Sequence, residues 1–370
     1  MQGRDDRAAA LLYPCAMTTT DEAICARRGA IGQITLNRPQ ALNALTLNMV
    51  RAIAAALDAW EHDPAVKAVV VEGAGERAFC AGGDIRLLWE QGTAGDHAAQ
   101  LEFWREEYVL NVRIKAYPKP YVAVIDGIVM GGGVGVSLHG SHRIAGDGFA
   151  FAMPEVGIGF FPDVGATYFL PRLAGKTGTY LGLTGARAKA GDAVALGLAE
   201  AHVSRAQIPD FVAALEAGEG VDAAIARFRS EAPPGPIVQN RATIDTAFAA
   251  DSVAGVLERL VADGSDFAQE AAKQIAQKAP LSLAVALRQM QVGATLSFEE
   301  AMRTEYRIVS RICRGPNFYE GVRATIIDKD QKPAWTPARI GDVSSADVDA
   351  IFAPLGADEL DLSAVAETAA

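Results

Sequence analysis

Short apolar runs rich in β-branched residues, each released into a turn or a glycine-rich loop, constrain the fold of this chain more than any other feature. Val66 to Val71 and Tyr121-Val-Ala-Val-Ile125 lack the in–out alternation of a half-exposed strand. That pattern suits strands buried on both faces of a parallel sheet. Ile31-Gly-Gln-Ile-Thr-Leu36 reads as an earlier strand and Asn37-Arg-Pro-Gln40 as its turn, because Pro39 removes a ladder donor. Leu45, Met49, Ile53, Leu57 and Trp60 then recur at the spacing of one helix face, until His62-Asp-Pro-Ala65 breaks the helix. Val134 to Leu138 reads as a short buried helix and Phe149-Ala-Phe-Ala152 as a further strand. Repeated strand, loop and helix units favour an α/β architecture over a sandwich.

After about residue 205, runs of alanine and charged residues replace the β-branched strands. Pro233-Pro-Gly-Pro236 reads as an irregular connector. Ser297, with Glu300 three residues on, is a capping-box pair opening a helix whose stripe is Phe298, Met302, Tyr306, Val309 and Cys313. The expected division is a loose extension over residues 1–20, with Met17 an alternative start, an α/β core over 21–205, and a mainly helical region over 206–370.

Composition narrows the partners. With 45 acidic against 34 basic residues, the net charge of −11 argues against nucleic acid but leaves room for an anionic small molecule held by local donors. The most apolar long stretch, Tyr121 to Leu138, contains Asp126 and five glycines, a poor membrane span. No secretory cleavage pattern marks the first sixteen residues. Cys15, Cys25, Cys80 and Cys313 are too scattered for a disulfide scaffold or a CxxC site. Reduced thiols and a cytoplasmic location are the expectation.

Two glycine-rich loops follow expected strands: Phe79-Cys-Ala-Gly-Gly-Asp-Ile85 and Met130-Gly-Gly-Gly-Val134. Glycine lets a backbone approach a ligand closely, so both loops can aim N–H groups at one oxygen. Two such donors form an oxyanion hole, where losing one costs roughly 3 kcal/mol of transition-state stabilisation in a well-made site. Each loop alone is equally consistent with glycines that only permit close packing. Neither matches a phosphate loop or a dinucleotide fingerprint. Glu155 and Asp163 fall in the hydrophobic, turn-rich stretch Met153-Pro-Glu-Val-Gly-Ile-Gly-Phe-Phe-Pro-Asp-Val-Gly165. Carboxylates against apolar walls acquire raised pKa values suited to proton transfer, although both would also serve as turn caps. His62, His97, His139, His142 and His202 form no strong metal-ligand spacing, so no metal is expected. Ser137 and Cys80 sit in no nucleophile motif, which sets a serine or cysteine triad aside.

These residues resemble the crotonase, or enoyl-coenzyme A hydratase/isomerase, superfamily, and within it the 3-hydroxyisobutyryl-coenzyme A hydrolase branch. The resemblance spans roughly residues 22 to 338. It rests on Ile34-Thr-Leu-Asn-Arg-Pro-Gln-Ala-Leu-Asn-Ala-Leu45, the two glycine loops and Phe151-Ala-Met-Pro-Glu155. More discriminating are Gly159-Phe-Phe-Pro-Asp-Val-Gly165, Tyr168-Phe-Leu-Pro-Arg-Leu173 and the segment from Glu320 to Trp335. It implies a crotonase-like spiral of repeated ββα units with a mainly helical C-terminal region. It further implies coenzyme A bound by Ala41, Asn43, Leu45, Ala81, Gly82, Gly83, Asp84, Ile85 and Gly132, and an oxyanion pair formed by the N–H groups of Gly83 and Gly132. Arg38 is a candidate for the coenzyme A phosphates.

The family's hydratases use two glutamates, and the position of the first is Gly135 here. Glu155 stands at the second, and Asp163 where the hydrolase branch has its distinctive aspartate. The implied reaction is hydrolysis of a 3-hydroxyacyl thioester belonging to valine breakdown, without a metal or redox cofactor; coenzyme A enters with the substrate and leaves as product. The alternatives are an enoyl-coenzyme A isomerase or hydratase on the same fold, and a non-catalytic acyl-coenzyme A-binding protein. A homo-oligomer is compatible with the family's habit of forming trimers.

Overall fold

A computed structural model describes residues 21–366, so the expected extension over residues 1–20 lies outside the described residues. Each apolar run becomes a strand within a few residues of its expected place. β1 (Ala23–Arg28) pairs antiparallel with β2 (Ile31–Leu36), and α1 (Leu47–Glu61) begins where the Thr46 hydroxyl accepts from the Met49 N–H. The chain then gives β3 (Ala68–Gly73), β4 (Ala78–Cys80), α2 (Ile85–Thr93), α3 (His97–Lys115), β5 (Tyr121–Ile125) and β6 (Ile128–Met130). α4 (Gly132–Gly135), β7 (His142–Ala145), β8 (Ala150–Ala152), β9 (Ala188–Lys189) and β10 (Ala201–His202) follow.

The strands form a six-stranded sheet ordered β1-β2-β3-β5-β7-β10 and a four-stranded sheet ordered β4-β6-β8-β9. Neighbours run parallel except for β1 with β2 and β8 with β9. β3 leads into β4, β5 into β6 and β7 into β8, so each turn of the chain adds one strand to each sheet before crossing back. The result is the spiral of ββα units. Because β4, β6 and β8 are parallel neighbours, the loops leaving them emerge on one side, as ligand-binding loops do at the carboxyl ends of parallel strands.

The large sheet is covered on both faces, as its uniformly apolar strands require. Val70, Val122, Val124 and Ile144 pack against Phe211, Val212 and Leu215 of the helix Ile208–Glu216, while Val69, Val71 and Ala123 join the main core. At Gly32 the Trp60 indole lies so close that a Cβ would sit 2.4 Å from it, which ties α1 to the sheet.

Beyond β10 the described chain is mainly helical. The helix Phe298–Ile312 opens on the expected capping box: Glu300 N–H donates to Ser297 Oγ (3.1 Å) and Ser297 N–H to Glu300 Oε2 (2.8 Å). Its five expected stripe residues are all buried. Among the described residues no helix is long and apolar enough to cross a membrane. The helix expected over Val134 to Leu138 is a single turn, Gly132–Gly135, continuing as hydrogen-bonded turns to Leu138. α3 has no apolar signature, because its buried residues include Gln100, Glu107 and Asn111.

Candidate active site

A cavity of about 650 Å³ opens where the three loops meet. Ala81, Gly82, Gly83 and Ile85 line it from the first loop, Gly131 and Gly132 from the second, and Glu155 and Asp163 from the third. α3 adds Phe103, Trp104 and Glu107, and the helical half adds Lys278, Thr325 and Ile326. Ala41, Asn43, Leu45 and Asp84 are not among the lining residues; they stand behind or beside the first loop.

Backbone bonds pin that loop. Leu45 N–H donates to Gly82 O (2.8 Å), Asp84 N–H to Leu45 O (2.9 Å) and Ala81 N–H to Leu42 O (3.0 Å). Ala41 ends the short helical turn Pro39–Ala41 before Leu42. Asn43 is wholly buried, and its amide nitrogen donates to the carbonyls of Ala74 and Ala78, both at 2.9 Å. Arg38 is occupied structurally, bonded to Asp84 (2.9 Å), Ala44 O (2.6 Å) and Glu22 (3.3 Å).

The two glycine loops touch. A Cβ built on Gly132 would lie 3.4 Å from Gly83 N and 2.5 Å from Glu107 Oε1. One built on Gly131, whose φ is +45°, would lie 3.3 Å from Gly82 Cα and 3.4 Å from Glu155 Oε1. Side chains at either position would displace the facing loop or carboxylate. α4 is too short for a macrodipole of full size, so the local N–H groups matter more than the helix.

Three buried carboxyls face the cavity. Glu155 opens the turn Glu155–Ile158, and its Oε2 has no hydrogen-bond partner among the described residues. Burial, then the charge of Asp163, pushes its pKa well above the usual carboxylate range, while the Gly131 N–H pulls it back. Asp163 accepts a hydrogen bond from Tyr108 OH at 2.9 Å, and burial raises its carboxyl to about 7 against that bond. Glu107, absent from the sequence-based candidates, also has an unpartnered oxygen, Oε1, and is pushed well up by burial and by Asp163 and Glu305. Its only signal in the sequence is a carboxylate one residue before Tyr108, in a helix without an apolar face.

Asp163 is held by a strained turn. Val164 adopts φ +50°, a conformation that β-branched residues rarely enter. His139 Nε2–H donates to Val164 O (2.6 Å), and burial keeps this imidazole neutral by lowering its pKa to about 4. Glu305 accepts from Gly165 N–H (2.7 Å) and Thr167 N–H (2.8 Å), and burial raises its carboxyl to about 8.

Other candidate chemistry is absent from the cavity. Cys80 is fully buried with a thiol pushed up to about 12, and Ser137 Oγ–H donates to Gly133 O at 2.6 Å. Among the described residues no cluster of His, Cys, Asp and Glu is arranged to hold a metal. Gly135 abuts Asn111: a Cβ there would lie 2.7 Å from the Asn111 amide nitrogen, so a side chain at 135 would have to displace that buried amide.

The 3-hydroxyisobutyryl-CoA hydrolase of Danio rerio is 46% identical over 351 residues, 92% of this chain and 91% of its own length. That of Xenopus tropicalis is 44% identical over 351 residues, again 92% and 91%. A solved structure described as a carnitinyl-CoA dehydratase from Mycobacterium thermoresistibile superposes with a TM-score of 0.89 at 43% identity, covering 93% of this chain and 99% of that one. The expectation of a cytoplasmic location does not stand, because both hydrolase relatives are mitochondrial. Cys25, Cys80 and Cys313 are free among the described residues, and free cysteines do not distinguish one compartment from another. The pattern of the enoyl-CoA hydratase/isomerase family matches residues 31–352, and with the spiral of ββα units and the paired glycine loops it establishes that this chain belongs to that family.

Proposed function

We propose that this protein hydrolyses 3-hydroxyisobutyryl-CoA, with 3-hydroxypropionyl-CoA a second substrate, to the free 3-hydroxy acid and coenzyme A. The observation that carries the reading is the buried Glu155 carboxyl beside Gly131, with its Oε2 unpartnered among the described residues, in the cavity that Gly83 and Gly132 also line. The relatives named as hydrolases of that thioester supply the acyl group.

Glu155 has two routes open to it, activating a water or attacking the thioester carbon directly; in the direct route the carbonyl π electrons move onto oxygen between the N–H groups of Gly83 and Gly132. Collapse of the adduct breaks the C–S bond, leaving an anhydride on Glu155 and a thiolate that takes a proton from Asp163. Water then attacks the anhydride, its proton returns to Asp163, and Glu155 departs as carboxylate with the acid released. A carboxyl at about 7 is suited to both proton transfers. Asp163 also orients the substrate 3-hydroxyl. Ala81, Gly82 and Ile85 form the coenzyme A wall; Ala41, Asn43, Leu45 and Asp84 contribute by fixing the course of that wall.

Hydration is the second reading, favoured by one observation: Glu107 puts a second glutamate in the cavity that Glu155 lines. The deciding experiment follows thiol release from 3-hydroxyisobutyryl, 3-hydroxypropionyl, isobutyryl and crotonyl thioesters, alongside hydration of the crotonyl double bond. Rapid thiol release from the 3-hydroxy substrates, lowered about 10²–10⁴-fold or more in Glu155→Gln, is expected. Hydration without thiol release would replace the hydrolase reading.

A further inference from the structure

Glu107, Glu155 and Asp163 give the cavity three buried carboxyls, and among the described residues Lys278 is the only basic side chain lining it. The Lys278 ammonium makes no hydrogen bond or ion pair with any described residue, whereas Arg288, Arg307 and Arg311 of the helical half each find a carboxylate or carbonyl. A partly buried ammonium without a partner is costly and calls for a charge nearby. The backbone sets its place: Ala279 N–H, the next residue, donates to Val156 O (3.1 Å), locking the lysine beside the Glu155–Ile158 turn. Gly157 leaves the space it occupies, since a Cβ there would lie 3.3 Å from Lys278 Nζ.

We propose that Lys278 is a positioning residue that favours the charged form of the Glu155 carboxyl against the acidic groups around it and thereby sets the acidic limit of the enzyme's activity. The inference rests on the catalytic role given to Glu155 above. Around Glu155 stand Asp163 from its own segment and Glu305 from the helix Phe298–Ile312, which both push its carboxyl up, Glu107 of α3 in the same cavity, Tyr108 of α3 bonded to Asp163, and Lys278 from the connection before the helix Pro280–Gly293. All but Lys278 are acidic groups, whose ionised forms disfavour a charged Glu155. Burial lowers the Lys278 pKa and the Glu155 charge raises it, the reciprocal sign of an attraction between the two.

The test uses the full-length enzyme with Lys278→Met and Lys278→Arg, and Lys278→Gln should the methionine variant not fold. Glutamate carboxyls labelled with carbon-13 are titrated by NMR, the Glu155 resonance being assigned by its loss in Glu155→Gln, and kcat/KM for thiol release is measured across the same pH range. The expected result is a Glu155 midpoint about one pH unit higher in Lys278→Met, with the acidic limb of kcat/KM moved equally and both restored by arginine. An unmoved midpoint overturns the proposal. A pH-independent rise in KM alone also overturns it, since that marks a contact with coenzyme A. If Glu155→Gln retains thiol release, the catalytic reading of Glu155 falls by itself, and the NMR midpoint still decides what Lys278 does.

Discussion

Asp163 carries the sharpest expectation about specificity. Its carboxyl is buried, bonded to Tyr108 and mounted on a strained Val164, so replacing it leaves that turn in place but changes what the cavity offers a hydroxyl. A site built to hydrogen-bond a substrate oxygen rejects an analogue lacking it far more strongly than it rejects a missing methyl. In Asp163→Asn, kcat/KM for 3-hydroxyisobutyryl-CoA should fall about 10²-fold or more while isobutyryl-CoA is affected much less. Steady-state rates on the two thioesters check this, and an unchanged ratio would separate Asp163 from hydroxyl recognition. Glu155 and Asp163 were visible in the sequence because charges inside an apolar, turn-rich stretch need an explanation. Glu107 was not, since a glutamate in a helix rich in charged residues looks solvated until the fold buries it.

Among elements, α3 and α4 meet where Asn111 packs on Gly135. Asn111 of α3 occupies the space beside Gly135 of α4, the position at which the sequence resemblance implies a hydratase's first glutamate. Gly135→Glu should therefore not create a hydratase; overpacking should cost about 1–3 kcal/mol in urea denaturation with crotonyl-CoA hydration still absent. Hydration gained without loss of stability would show that the carboxylate, and not the space, was missing. The strands and α1 were legible because their burial follows one period. α3 was illegible because it buries Gln100, Glu107 and Asn111 among its aromatic residues, and the shortness of α4 reflects a glycine run that supports a turn better than a helix.

At the scale of the whole molecule, the helical half closes the site that the spiral begins. It brings Lys278 and Thr325 to the cavity and sends Glu305 from the helix Phe298–Ile312 to hold the Asp163 turn. Enclosure has a consequence for stability. Asp163 rises from 3.8 to about 7 and Glu305 from 4.5 to about 8, so the folded state holds protons that the unfolded chain has released. For such groups the stabilisation is complete below the unfolded values and is lost as pH rises through the folded ones. The melting temperature should consequently fall between about pH 5 and pH 8, with a shallower decline in Glu305→Gln. Thermal melts across that range test it, and a melting temperature rising with pH would contradict it.

From the sequence alone came the α/β class, the strand runs, the two glycine loops and the pair Glu155 and Asp163, because periodicity, glycine chemistry and charges set in apolar stretches are local properties. Tertiary structure decided that β4, β6 and β8 lie parallel side by side, so that their loops face one cavity. It also decided that Glu107, Glu305 and Lys278, separated from Glu155 by tens of residues or more, share an electrostatic environment with it. Distance through space and loss of water around a charge arise only when the chain packs, and no pattern along the sequence encodes them directly.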